Sequence, residues 1–176
     1  MDIRFYCKTL ENEDLMEFEE NIFTESEIDS FLFKDAVCIN ESEGHTTTGV
    51  FVENSKKLVG FFTLHVDIRL IDFKTKEDVT DKIEYIQEKQ IDYDIVKILT
   101  VDYLGVRSDM QRQKIGTYIL EKINRIAKRT SIKFILLHSL SQSKKFYEKN
   151  SFIYSDSITY HDKGITKQAI EMIKRV

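Results

Sequence analysis

The sequence predicts a mixed α/β fold, with a mainly antiparallel central sheet and helices on both of its faces. Three features carry that expectation. Residues 95–106 are dense in Ile, Val and Leu, as a central strand covered on both faces should be. Residues 115–129 place Ile115, Ile119, Ile123 and Ile126 at helical spacing, and Leu120 and Ala127 widen the stripe. Residues 134–138 form a short, nearly all-apolar strand. This strand–helix–strand core lies between segments that read as antiparallel pieces.

Taken in order, residues 2–8 alternate and predict an edge strand. Leu15, Phe18, Ile22 and Phe23 recur near helical spacing and predict a helix. Residues 27–33 predict a second short helix, with Ile28, Phe31 and Leu32 facing inward. Residues 40–48 are polar and read as a loop. Residues 49–53 and 57–66 form a hairpin across Asn54, Ser55 and Lys56. Gly60, inside its second strand, signals a bulge or a close backbone approach. Residues 71–92 interrupt the strand pattern with charges and a helix near 79–90. Ser141 or Ser143 is placed to cap a helix running through Glu148. Residues 152–160 and 169–174 supply two final antiparallel strands. The alternative for the last segment is a helix, because Ile165, Ala169, Ile170 and Ile173 also fit that period. With no proline, repeat or flexible linker, residues 1–176 read as a single domain.

The chain has 176 residues, 41% of them hydrophobic and 32% charged, a balance that suits one substantial core and excludes a disordered chain. No apolar run is long enough to span a bilayer, and the first residues lack the apolar core of a secretory signal. Cys7 and Cys38 need no disulfide, so the expectation is a cytoplasmic protein with no membrane contact. Four histidines without a close Cys/His cluster predict no metal site. The net charge of -4 hides an asymmetry. Residues 11–43 hold twelve acids against one base, Lys34, whereas residues 107–149 hold eleven bases against three acids. One region is suited to attract an anion, although two ordinary solvated surfaces would give the same composition.

The sharpest local feature runs from Leu104 to Thr117. A buried strand emerges, makes a polar turn and enters an amphipathic helix. The first turn of a helix leaves backbone N–H groups unpaired, and an anionic phosphate can accept their bonds at the positive end of the dipole. Gly116 removes a Cβ there, Arg112 and Lys114 add positive charge, and Thr117 offers a hydroxyl. Nucleotide P-loops and dinucleotide fingerprints carry more glycines at other spacings.

This segment resembles the acetyl-CoA signature of the GNAT superfamily of N-acetyltransferases, whose pattern is Gln/Arg-x-x-Gly-x-Gly/Ala. Gln111 holds the leading position, Lys114 stands where the first glycine is usual, and Gly116 is the last. The resemblance implies that the backbone of Leu104, Gly105 and Val106 holds the pantetheine arm. It likewise implies that Gln111, Arg112, Gln113, Lys114, Ile115, Gly116 and Thr117 form the pyrophosphate turn. A non-glycine residue at position 114 predicts an ordinary helical conformation there rather than positive φ. Downstream, Phe146-Tyr147-Glu148-Lys149-Asn150-Ser151-Phe152 resembles the family's Phe-Tyr-x-x-x-Gly-Phe, with Ser151 in the glycine position. The resemblance spans roughly residues 50–152 and implies the family's mixed, mainly antiparallel fold.

By resemblance, the chain is expected to transfer the acetyl group of acetyl-CoA to a primary amine by direct attack on the thioester. Tyr147 is then the donor to the departing sulfur, and the amide near Val106 polarises the carbonyl. No general base stands out: Asp102 and Thr100 share a strand face under simple alternation, and His65 and His138 lie in predicted strands. The acceptor amine is one borne on a small molecule, a peptide or a protein. Val59-Gly60-Phe61-Phe62-Thr63-Leu64, the excursion over residues 70–94 and Ile28-Asp29-Ser30-Phe31-Leu32 resemble a toxin-like GNAT subgroup. That likeness implies charged tRNA as acceptor, a small antitoxin as partner, and an RNA-facing surface built from Arg112, Lys114, Lys122, Arg125, Lys128, Arg129, Lys144 and Lys145. The acidic N-terminal region argues against RNA if it adjoins the cleft. The alternative of another class is a non-catalytic acyl-CoA-binding regulatory protein. The family also makes a homodimer an open option.

Overall fold

The computed structural model describes all residues except 1–3, 17–21, 24–25, 42–43, 73, 76, 83–86, 88, 91 and 163–164. Among the described residues seven strands form one sheet: β1 Phe5–Thr9, β2 His45–Val52, β3 Leu58–Asp72, β4 Tyr93–Val106, β5 Phe134–Ser139, β6 Ile153–Asp162 and β7 Ile165–Arg175. Their order is β1-β2-β3-β4-β5-β7-β6. The neighbours are antiparallel except β4 and β5, which run parallel. The helices are α1 Asn12–Leu15, α2 Ser26–Lys34, α3 Cys38–Glu41, α4 Ile115–Arg129 and α5 Lys144–Lys149. A parallel pair needs a crossover, and α4 supplies it.

The two faces of the sheet bury different helices. On one, Ile115, Ile119, Leu120, Ile123 and Ala127 of α4 pack with Phe62, Leu64, Leu99, Val101, Ile135 and Leu137. Each such side chain fully removed from water stabilises the fold by roughly 1.5–3 kcal/mol. Ile126 lies at the margin of the stripe and is half-buried. On the other face, Phe31 and Leu32 of α2 join Leu10, Phe23, Phe51 and Phe61. The rings of Phe31 and Tyr103 stack at 3.6 Å. Helix α4 ends in a left-handed turn at Ser131, φ 58°. There Ile132 N–H reaches the Ala127 carbonyl at 2.9 Å and Ser131 N–H the Lys128 carbonyl at 3.2 Å, so orphan carbonyls are satisfied. Lys128 and Arg129 complement the helix dipole at that end.

Several expectations change. Residues 45–48 are not loop but the start of β2, because Thr47 is buried and its hydroxyl meets Thr63 at 2.9 Å across the β2–β3 ladder. Of the helix expected over Leu15 to Phe23, Leu15 ends the short α1 and residues 17–21 lie outside the described set, while the N–H groups of Ile22 and Phe23 are accepted by the Asp29 carboxylate at 3.1 and 3.2 Å. Of the helix expected near 79–90, residues 83–86 and 88 lie outside the described set. Its first residue, Val79, is hooked back onto β3 by a 2.8 Å bond to the Leu70 carbonyl. The final segment is the strand expected rather than the helical alternative: β7 pairs with β5 and so runs extended. Neither Ser141 nor Ser143 caps α5 with its side chain: Ser141–Ser143 form a 3-10 turn, and Ser143 at the cap position makes no such bond.

Two glycines show close approach. A Cβ on Gly60 would stand 2.9 Å from the Gly105 carbonyl, the close backbone approach expected there. A Cβ on Gly105 would meet Phe61, Ile28 and Phe23 at 2.7, 2.9 and 3.0 Å, so α2 and the Phe23 segment lie directly on the β4 backbone. Gly105→Ala should therefore cost about 1–3 kcal/mol of stability through overpacking. The check is a lowered urea midpoint at unchanged slope; an unmoved midpoint would show that α2 is not held against β4.

Candidate active site

The site begins where two parallel strands part. β4 and β5 pair from Ile98–Phe134 to Val101–Leu137, and β4 then continues for five residues without β5. Arg107 N–H bonds to the Val59 carbonyl at 2.9 Å on the β3 side. Alternation therefore turns the polar backbone groups of Leu104 and Val106 away from β3, into the opening. Such an edge can bind an extended amide-bearing chain as a further strand would be bound. The reason β4 stays extended without a second neighbour is packing: Leu104 and Val106 join the α4-side core while Gly105 is covered by α2.

The chain leaves β4 through a 3-10 turn, Ser108–Met110. Arg107 and Lys57 bond Asp109 at 2.7 and 3.1 Å, and they hold its carboxyl below the usual carboxylate range. The one acid beside the turn is thereby matched, while Arg112 and Lys114 stand exposed. Gln111 is extended, Arg112 is left-handed at φ 62°, and Lys114 is left-handed at φ 62°, ψ 11°. The helical conformation expected at Lys114 is thus wrong. The chain must reverse between an extended Gln111 and the start of α4, and it does so through left-handed residues whether or not they are glycine. The αL region costs a non-glycine residue roughly 1–2 kcal/mol. Ser151 repeats the lesson at φ 68°. It follows α5, with Ser151 N–H on the Glu148 carbonyl at 3.0 Å and Phe152 N–H on the Tyr147 carbonyl at 3.1 Å, a Schellman end.

Lys114 caps α4 with no side-chain bond, so the first-turn N–H groups of the helix, around Ile115, Gly116 and Thr117, remain available to an anion. Gln113 amide nitrogen approaches the Met110 sulfur at 3.6 Å and points back into the turn. Gly116 serves a purpose beyond phosphate approach: its missing Cβ would lie 2.9 Å from the Phe146 ring of α5. The phosphate-facing turn therefore touches the helix that carries Tyr147. Tyr147 is 9% exposed, between the rings of Phe146 and Phe152 at 5.1 and 5.8 Å. Burial pushes its phenol up to about 12.

On the opposite face of the sheet lies a cleft of about 310 Å³ lined by β3, β4 and β5, including His65, Thr100, Asp102 and His138. It brackets the point of divergence. Thr63 pairs Tyr103 but Leu64 pairs Val101, so Asp102 is an extra residue, a β-bulge. Thr100 and Asp102 share this face as expected, and the bulge adds Tyr103 to it. His45 and His65 are cross-strand partners, and both Nδ1 atoms reach one Asp102 oxygen, Oδ2, at 3.2 and 2.9 Å. His45 is hidden in the sequence because residues 40–48 look like loop; a strand through Thr46 and Thr48 sets His45 opposite His65. The three groups lie within 4.8 Å of one another, near enough for a cation, yet hydrogen bonding accounts for the same geometry.

A parallel pair that parts midway, with an anion-facing turn at its mouth, defines a class: acyltransferases that draw their acyl group from coenzyme A. Residues 46–154, more than half of the chain, match the Acetyltransferase (GNAT) domain family, and the chain belongs to it. It is an acetyl-CoA-dependent acyltransferase, with acetyl-CoA as co-substrate. No curated protein sequence matches. Among solved structures, one described as a bacterial toxin is 14% identical at TM-score 0.68 and covers 98% of this chain and 91% of its own. AtaTR bound with AcCoA is 15% identical at TM-score 0.65, covering 99% and 95%. AtaT complexed with acetyl-methionyl-tRNAfMet is 14% identical at TM-score 0.61, covering 95% and 94%. These likenesses are likenesses of fold. Among the described residues no helix is long and apolar enough to cross a membrane.

Because Lys114 and Ser151 hold left-handed conformations, Lys114→Gly and Ser151→Gly should each raise stability by about 0.5–1 kcal/mol, strain relief being partly offset by unfolded-chain entropy. Lys114→Val should lower it. Chemical denaturation distinguishes these outcomes, and a fall in stability with glycine would refute the assigned conformations.

Proposed function

We propose that the chain acetylates a primary amine by direct attack on the thioester, the acyl donor lying along the open edge of β4. The observation that carries this is the unpaired side of Leu104–Val106 leading into an α4 with no side-chain cap, whose Gly116 packs on Phe146 beside Tyr147. The Leu104, Gly105 and Val106 backbone would hold the pantetheine arm. Residues Gln111 to Thr117, through turn N–H groups and the Arg112 and Lys114 charges, would hold the pyrophosphate. The Val106 N–H would meet the thioester oxygen as it gains charge.

Tyr147 supports the departing sulfur. A phenol raised to about 12 keeps its proton throughout the neutral range. Since an alkyl thiol such as that of cysteine ionises near 8.5, Tyr147 acts chiefly by donating a hydrogen bond to the thiolate as it forms. Tyr147→Phe should lower kcat by about 10²–10³-fold, with acetyl-CoA affinity changed less than threefold. Equal turnover would exclude the role. The sign of the pKa shift gives a second expectation: a raised pKa means no loss of the Tyr147 proton, and so no basic limb from it, up to about pH 10.

Among amines, the α-amine of an aminoacyl-tRNA is favoured by likeness, over nearly the whole chain, to structures described as toxins, one of them holding acetyl-methionyl-tRNAfMet. An α-amine, with a pKa near 8, also presents more free base at neutral pH than a lysine near 10.4. A small antitoxin would then be the protein partner. The test incubates the protein and isotopically labelled acetyl-CoA with cell extract, then separately with total aminoacyl-tRNA. Salt-sensitive label on the aminoacyl group supports this reading, and label confined to small amines or peptides replaces the acceptor while keeping the reaction. No label in any fraction would leave an acyl-CoA-binding regulator.

A further inference from the structure

The geometry points to His65 as the group that takes the proton from the attacking amine, with Asp102 holding its ring for that task. This deepens the reading above and rests on it.

A carboxylate oxygen accepts and does not donate, so an Nδ1 bonded to Asp102 carries the hydrogen. At 2.9 Å from Asp102 Oδ2, His65 is thereby fixed in the tautomer that leaves Nε2 with its lone pair. His45, at 3.2 Å from the same oxygen, pins the carboxylate from β2 without lining the cleft. The bulge supplies the position: by adding Asp102 to β4 it sets the carboxylate beside His65 where β4 leaves β5. Tyr147 belongs to the core on the α4 face, whereas His65 lines the cleft on the α2 face. In this proposal the donor lies where β4 and β5 cease to pair, so that sulfur and amine approach one carbonyl from opposite sides of the sheet. Thr100, which lines the same cleft, has a buried hydroxyl with no hydrogen-bond partner among the described residues, so a polar group entering beside it would find one to bond. His138 is the less suited imidazole. It is 46% exposed, and Glu171 stands 3.6 Å from its Nε2, beyond a hydrogen bond.

The step balances without another reagent. The amine nitrogen bonds to the acetyl carbon, His65 Nε2 takes the proton that the nitrogen sheds, and the carbon–sulfur bond breaks. The electron pair stays on sulfur, met by the Tyr147 hydroxyl. Water then carries a proton from His65 to the released thiolate.

The charged and titratable groups around His65 are His45 from β2, Asp67 and Arg69 along β3, Asp102 and Tyr103 from β4, and His138 from β5. Arg69 is bonded to Asp67 and Asp78 at 2.9 and 3.1 Å. The experiment measures kcat/KM against pH for the full chain, with labelled acetyl-CoA and two probes, total aminoacyl-tRNA and α-amino acid amides. The wild type should rise on the acid side with second order in hydroxide, one proton from the amine and one from the imidazole. His65→Gln should fall by about 10²–10⁴-fold and rise with first order. Asp102→Asn should shift the profile and disturb the His65 tautomer seen by nitrogen NMR. Acetyl-CoA affinity within twofold of wild type verifies folding. If His65→Gln does not fold, Asp102→Asn and the wild-type tautomer decide. An unchanged order in His65→Gln, a wild-type His65 protonated on Nε2 alone, or a stoichiometric metal ion held by these side chains would overturn the assignment while leaving acetyl transfer standing. Wild-type protein that binds acetyl-CoA and labels neither probe nor any amine of cell extract overturns the parent reading, and this one with it.

Discussion

The parting of β4 from β5 beyond Val101 and Leu137 is the constraint on which the rest depends. A parallel ladder that continued would satisfy the β4 backbone and leave no edge to bind a ligand. Each neighbouring feature keeps the gap open or uses it. β5 goes on to pair with β7 on its far side, which fixes it while it diverges. β4 is held straight by β3 and by cores on both faces, with Gly105 letting α2 lie on its backbone. The same parting connects two chemically distinct halves. One is an apolar face that raises a phenol, and the other is a polar cleft lined by His65 and the carboxylate it shares with His45.

Much of the architecture was legible because it rests on periodicity. The α4 stripe, the apolar β4 and β5, the first hairpin and the Gly60 approach are direct consequences of apolar spacing and of a missing side chain. What was not legible depends on partners distant in sequence. Residues 45–48 look like loop because their burial comes from a threonine pair across the ladder, and this hid His45. The bulge at Asp102 has no local signature; it appears when the register on β3 is known. The conformation at Lys114 was misread because residue preference was set against the demand of the turn, and the turn won. The pattern of residues 104–117 and 146–152 falls on the end of β4, the turn into α4, and α5.

Charge deserves the same local treatment. The basic stretch over residues 107–149 suggests a single positive surface, but its members are divided. Arg107 is bonded to Asp109, Lys144 lies 3.7 Å from Glu148, and Lys122 sits over the Tyr118 ring at 5.0 Å. Arg112 and Lys114 stand at the turn, and Arg125, Lys128 and Arg129 lie on the outer side of α4. The chain at Ile22 is anchored near the same mouth, since the Ser108 amide and hydroxyl both bond the Ile22 carbonyl, at 2.8 and 2.7 Å.

The contact between Gly116 and Phe146 has a consequence for how such a chain can diverge. Neither side chain carries a charge or a reacting atom, yet together they set the spacing between the helix start that faces phosphate and the helix that presents the phenol. A larger residue at 116 would demand a smaller ring at 146. Related chains should accordingly trade volume between these two positions, so the pair would be recovered as correlated columns even where the surrounding signature has eroded.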